Sequence, residues 1–299
     1  MYNSAPFSHF TPTDYRPAIE KAIAESLVEI DNIVQNPAPA TFENTIAALA
    51  YVGLELDRLT AMFFNLNSAK TNKTLQAEAQ RISPLLSDYS NDIRLNEALF
   101  KRVKAVYDQR EKLSLTAEQQ TLLEKTYKGF TRNGANLSLN DKERLREIDK
   151  QLATLKLKFS ENVLSETQHY QWVINDKEQL SGLPDFVLEM LAQEAKKRQL
   201  KGWVITLDMP VYTAVMKYAD NRAVRQKLFT DYHSRCAGES AFSNEANVLR
   251  IAELRQARAT LLGYPSYAAF ALEERMAETP EKVISFLNKL LSKAKPQAL

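Results

Sequence analysis

Apolar residues recur at three- and four-residue spacing through most of this chain, and the longest unbroken pattern lies between Asn140 and Thr167. Leu145, Ile148, Leu152, Leu155 and Phe159 align along one face of a helix, while Lys142, Arg146, Glu147, Lys150 and Lys156 fall elsewhere. Asn140 with Glu143 three residues on predicts a capping box at its start, each side chain satisfying an unpaired backbone N–H of the first turn. A stripe with no titratable residue in it reads as a core helix of an α-bundle.

The segments before it follow the same rule. Residues 1–12 read as extended, with Pro6 and Pro12 opposing helix. Thr13 is the expected cap of a first helix carrying Ile19, Ile23, Leu27, Ile30 and Val34 and stopping at Asn36, before Pro37-Ala38-Pro39. Thr41 caps a second helix, with Ile46, Leu49, Leu56, Leu59, Phe63 and Leu66 in phase along it. A third is expected from Asn72 to Asp92, kinked or divided at Pro84, whose ring removes one N–H and crowds the preceding turn. A shorter one begins near Asn96. Thr116 and Gln119 form a second capping box, opening a helix from Ala117 to Thr131 that Asn133-Gly134 stops.

Beyond the long helix the period changes. Tyr170–Ile174 and Gly202–Leu207 are short, aromatic and β-branched, which predicts two strands pairing across a helix that opens at Leu183-Pro184-Asp185 and runs to about Gln199. Helical patterns then resume, with Pro210 near a start, Asn221 as a cap, and a helix from about Asn244 closed by Gly263. Thr279-Pro280-Glu281 opens the last one. Its Val283, Ile284, Phe286, Leu287, Leu290 and Leu291 make a broad apolar face that requires a cover, either from earlier helices or from a continuation of the chain.

Composition agrees with helix. Of 299 residues only 7 are glycine, few for a turn-rich β fold, while 44% are hydrophobic and 25% charged, as in globular proteins. Lys and Arg number 39 and Asp and Glu 37, interspersed, which gives no electrostatic footprint for nucleic acid. The one cysteine excludes an internal disulfide framework. No segment is apolar and long enough to span a membrane, and the first residues lack the basic and apolar runs of an export signal. A cytoplasmic location is the expectation, with the periplasm as the alternative if a signal has been removed.

Several blocks in this order resemble the front half of the M3 family of zinc oligopeptidases and peptidyl-dipeptidases. They are Phe130–Ala135, the run from Asp141 to Leu164, Gly202–Tyr212, Tyr218–Phe229 and Leu261–Val283. The resemblance covers nearly the whole chain and leans toward the peptidyl-dipeptidase branch. It implies a mainly α, multi-helix lobe of an M3 peptidase-like (neurolysin-like) fold with a small two-stranded β element. Residues 1–220 would form the amino-terminal helical lobe, and 221–299 the start of the region leading into the catalytic lobe. It also implies a channel that admits short peptides, and a catalytic zinc held by H-E-x-x-H and a downstream glutamate. His9, His169 and His233 are the only histidines and none is followed by Glu. The resemblance therefore assigns no catalytic and no metal residue here, leaves substrate-binding residues unknown, and puts the zinc ligands and the hydrolytic machinery on a missing carboxy-terminal half. The alternative is a complete, non-catalytic helical module that binds peptides or a protein.

Other residues invite chemistry and have plainer readings. His233 and Cys236, three apart, would face one another on a helix and activate the thiol, but an idle or buried Cys near a helix end accounts for the same residues. Asp141, Glu143, Glu147 and Asp149 interleave with Lys142, Arg144, Arg146 and Lys150, which reads as a solvated, ion-paired face. Tyr212, Tyr218, Tyr264 and Tyr267 offer apolar contact with a hydroxyl and suit either a peptide channel or core packing.

Overall fold

The computed structural model describes Ala5 and residues 7–298, and the readings for residues 1–4 and for Pro6 lie outside it. Phe7–His9 is a 3-10 turn rather than extended chain. The helices that follow are α1 (Tyr15–Val34), α2 (Ala48–Ala50), α3 (Leu54–Ala69), α4 (Lys73–Arg94), α5 (Glu97–Tyr107), α6 (Ala117–Thr131) and α7 (Leu139–His169). Strand β1 (Trp172–Ile174), helix α8 (Asp185–Lys197) and strand β2 (Trp203–Ile205) come next. Helices α9 (Met209–Tyr218), α10 (Arg222–His233), α11 (Glu245–Leu261), α12 (Tyr267–Leu272) and α13 (Pro280–Ala298) complete the described chain. The fold is mainly α with one two-stranded element, as anticipated. No helix among the described residues is long and apolar enough to cross a membrane.

Local chemistry explains most boundaries. Asn72, Asn96 and Thr116 each accept a hydrogen bond from the backbone N–H three residues on, which opens α4, α5 and α6, and Thr116 with Gln119 closes the box reciprocally. Gly134 sits at φ +94°, and a Cβ there would lie 2.6 Å from Leu145 Cδ2, so the turn before α7 needs glycine.

Other boundaries differ from expectation. The cap of α7 is Ser138, not Asn140: its hydroxyl accepts from the Asp141 N–H at 3.2 Å, and the first intrahelical bond runs from Lys142 N–H to Ser138 O. Ser138 with Asp141 offers the same cap-and-acid spacing two residues earlier, so helix forms sooner. Thr13 does not cap α1 either, because Asp14 holds that position and its carboxylate turns back to Thr11. The second helix is not continuous. It starts as a π-helical turn, Phe42–Ala47, capped by Thr41, and breaks at Gly53, whose φ is +74°. The Gly53 N–H donates to Glu29 Oε2 at 2.9 Å, a bond that an uninterrupted helix would have kept for itself. By contrast α4 runs through Pro84 without dividing.

The chain forms two compact units, residues 1–154 with 251–299, and residues 155–250. The first packs Ile30, Ile46, Leu99, Val103, Leu123 and Phe130 into one core. Lys142, expected on the polar side of α7, is 5% exposed there, its ammonium 2.7 Å from the Glu97 carboxylate. Phe159, expected on the apolar stripe, is exposed. The second unit centres on the antiparallel pair, with Trp172 opposite Ile205 and Ile174 opposite Trp203. Leu183, Val187, Leu191, Val211, Val215 and Leu228 close around it. Gly202, at φ +78°, lies so close to Ile174 O that a Cβ would stand 2.3 Å away.

Candidate functional site

In the first unit a cleft of about 300 Å³ opens between α4 and α6. Leu49, Val52, Ile93 and Phe130 make it apolar, while Tyr89, Arg94, Lys125, Thr126 and Asn133 add polar groups. Gly129 presents bare backbone, with nothing within 4 Å of where a Cβ would stand. Desolvation, then the like charge of Arg258, lowers the Arg94 pKa, with Asp149 opposing. A guanidinium remains charged regardless. Such a surface can hold an extended apolar segment and meet an acceptor group. Its lining contains no nucleophile paired with a base.

A charged seam adjoins it. Asn133 Nδ2 donates to Gly129 O, and its Oδ1 accepts from Arg258 at 2.9 Å. Arg258 also donates to Asp149 Oδ1 at 2.7 Å, with both side chains largely buried. Arg132 ion-pairs with Glu273 and donates to Phe270 O at 2.7 Å and to Tyr264 Oη at 3.2 Å. Its guanidinium also lies over the Phe270 ring, 4.6 Å from the centroid. Lys125 and Lys128 both pair with Glu274, and these two ammoniums hold its carboxyl down to about 2. The blocks around Phe130–Ala135 and Leu261–Val283, far apart in sequence, are thus joined side chain to side chain.

The second unit has a pocket of about 350 Å³ lined by Met216, Arg222, Arg225, Gln226 and Phe229. Arg225 is committed to the carbonyls of Ala219 and Asp220, where it finishes the end of α9.

The tempting residues do not converge. Tyr212 stacks on Tyr232 with centroids 4.1 Å apart, and Tyr218 carries Lys217 over its ring. Tyr264 gives its hydroxyl proton to Glu273 at 2.6 Å, and Tyr267 lies beneath Arg255. Two belong to each unit. Of the acidic group, Asp141 serves the α7 cap and Glu147 accepts from Gln151, but Asp149 is not solvated: it is held by Arg258. No pattern within α7 announces that partner, 109 residues away.

His233 ends α10 exposed, while Cys236 turns away at φ +57° and is buried. Glu166 fixes that turn, accepting from the Cys236 N–H at 2.7 Å and the Ser240 hydroxyl at 2.8 Å. Burial first, then the Glu166 carboxylate, push the thiol up to about 11, the reverse of activation.

The histidines do not fit a zinc site. His169 Nδ1 bonds Ser165 O and its ring packs on Phe242; His233 Nδ1 bonds Phe229 O and its ring packs on Phe229 and Tyr232. Among the described residues, no three His, Cys, Asp or Glu side chains gather as metal ligands would.

Comparison with known proteins finds similarity along the chain. Residues 215–299 match the profile of peptidase family M3. Dipeptidyl carboxypeptidase of Escherichia coli K12 is 34% identical over 298 residues, covering 99% of this chain and 44% of that protein. Oligopeptidase A of the same strain is 31% identical over 296 residues, covering 98% of the chain and 44% of that protein. Saccharolysin of Saccharomyces cerevisiae is 26% identical over 291 residues, covering 96% of the chain and 40% of that protein. The chain spans less than half the length of these relatives. Nearly the whole chain is thus similar to the amino-terminal part of peptidase family M3 proteins, and residues 215–299 match the family profile itself.

Proposed function

We propose that the chain is the amino-terminal region of a zinc-dependent peptidase of short peptides, an oligopeptidase or peptidyl-dipeptidase, and that it supplies one wall of the substrate channel. The zinc ligands, the metal-activated water and the peptide-cleaving step belong to the carboxy-terminal half of the longer protein, so that this chain alone is inactive. Residues 1–220 act as the helical lobe with its β element, and 221–299 lead toward the catalytic lobe. The working compartment in this reading is the cytoplasm.

One observation carries the proposal: nearly the whole chain is similar to proteins named dipeptidyl carboxypeptidase and oligopeptidase A, 44% of whose length it covers, while the 299 residues contain no H-E-x-x-H. The cleft between α4 and α6 suits the wall role, since an apolar floor with a guanidinium and amide groups at its edge binds peptide without reacting with it.

Photocrosslinking tests the wall. A short peptide bearing a benzophenone side chain is bound to the chain extended by its carboxy-terminal region, and the labelled residues are mapped by mass spectrometry. Labels on α4 or α6 are expected. Labels confined to the added region contradict a channel wall in this chain.

A further inference from the structure

The feature that the cleft and the charged seam leave unused is α13. None of its residues is buried, and Ile284, Phe286, Leu287, Leu290 and Leu291 are between 48 and 65% exposed. Soluble proteins rarely leave so many large apolar side chains on one helix in water. At 100° per residue these side chains, with Val283, share one broad face, while Lys282, Lys289 and Lys293 run along its border beside Phe286. Glu281 is the single acid of the helix. The start of α13 is well fixed: Thr279 Oγ1 accepts from the Lys282 N–H at 3.3 Å, and Lys282 pairs with Glu278. The helix therefore begins at a defined residue and leaves its apolar side open.

Three occupants are chemically conceivable: more of the same protein, a second copy, or a membrane surface. α13 lies inside the segment that matches the peptidase family, so it belongs to the shared body of that family. More than half of each relative lies outside the match, at 44% of their length or less covered here. We propose that the apolar face of α13 is the seat of the carboxy-terminal region that the longer relatives possess, which meets it with an apolar surface rimmed by acids along the lysine border. This rests on the reading above that the chain is part of a longer peptidase.

The test compares the 299-residue chain with the same chain extended by its carboxy-terminal region, each carrying Leu287→Cys and treated with a bulky maleimide. The buried Cys236 serves as an internal control. Labelling of position 287 is expected to be fast in the short chain and slower by roughly tenfold or more in the extended one, as for a site reached only by local opening. Leu287→Asp should leave the melting temperature of the short chain unchanged and lower that of the extended protein, so a folding defect in one variant does not decide the matter. Equal labelling in both proteins overturns the proposal. So does protection that arises from self-association of the short chain and vanishes when Leu290→Asp is added to Leu287→Cys, or protection of the extended chain only on anionic vesicles. Zinc-dependent peptide hydrolysis by the extended protein is measured alongside. Hydrolysis with an unprotected α13 refutes this seat alone, whereas no hydrolysis with a protected α13 refutes the peptidase reading alone.

Discussion

The two units differ in how their own segments are fastened internally. Residues 155–250 form a single stretch closed around aliphatic side chains, with both tryptophans, Trp172 and Trp203, in the paired strands. The other unit is assembled from two stretches, and its residues 258–274 are fastened to α6 and α7 by Arg132, Arg258 and two lysines. Apolar burial is non-directional and strong, so the continuous unit tolerates little change of shape but no single contact defines it. Ion pairs and charged hydrogen bonds fix register, and losing one partner exposes the other's desolvation. The seam should therefore loosen locally where the aliphatic unit would fail as a whole.

The placement of both tryptophans in one unit makes the difference measurable, because indole emission reports on residues 155–250 while helicity reports on the whole. The largest effect is expected from Gly202→Ala, which demands a left-handed backbone of a β-carbon residue and drives it into Ile174 O. A loss of about 3 kcal/mol or more should appear as an early shift in tryptophan emission during urea titration. Gly134→Ala meets a movable leucine side chain rather than backbone, so about 2 kcal/mol is expected, with the emission midpoint unmoved.

Arg132→Met separates the two mechanisms most cleanly. It removes the ion pair with Glu273 and the bonds to Phe270 O and Tyr264, at a cost of about 2 kcal/mol. Amide exchange should accelerate over residues 264–274 and stay unchanged over 203–205. Equal acceleration in both would mean that the seam is not a separate locking device.

The pH responses are smaller and opposite in sign. Glu274 is held below its ordinary 4.5, so its contribution is complete above that pH and is lost as pH falls toward about 2. The Cys236 thiol is raised from 9.0 to about 11, so its contribution is complete below pH 9 and is lost as pH rises through that range. Protection measured relative to the intrinsic exchange rate should fall in the seam as the solution is acidified, and fall in the unit containing Cys236 as it is made alkaline.

Much of this was legible in the sequence because it is local. Asn72, Asn96, Thr116 and Asn221 cap helices through bonds to residues two or three away, and the two strands announce themselves by β-branched and aromatic runs. The break at Gly53 was not legible, since the apolar positions on both sides stay in helical phase and one glycine costs a helix only about 1 kcal/mol. Its bond to Glu29 decides the matter from another helix. α12 had a signal that helical periodicity did not use, Ser266 accepting from the Ala269 N–H after Pro265. The seam had none, because Arg132 and Glu273 are ordinary surface types until the fold brings them together. The tyrosines singled out by type are dispersed for the same reason.

The function proposed above is that this chain is part of a peptide-cleaving protein and holds no hydrolytic machinery itself. It is tested most directly by incubating the purified 299-residue chain and its extended form with zinc and a fluorogenic short peptide, each before and after chelation. Chelator-sensitive hydrolysis is expected of the extended protein and none of the 299-residue chain. Zinc-dependent hydrolysis that stays with the 299-residue chain through repeated purification would contradict it.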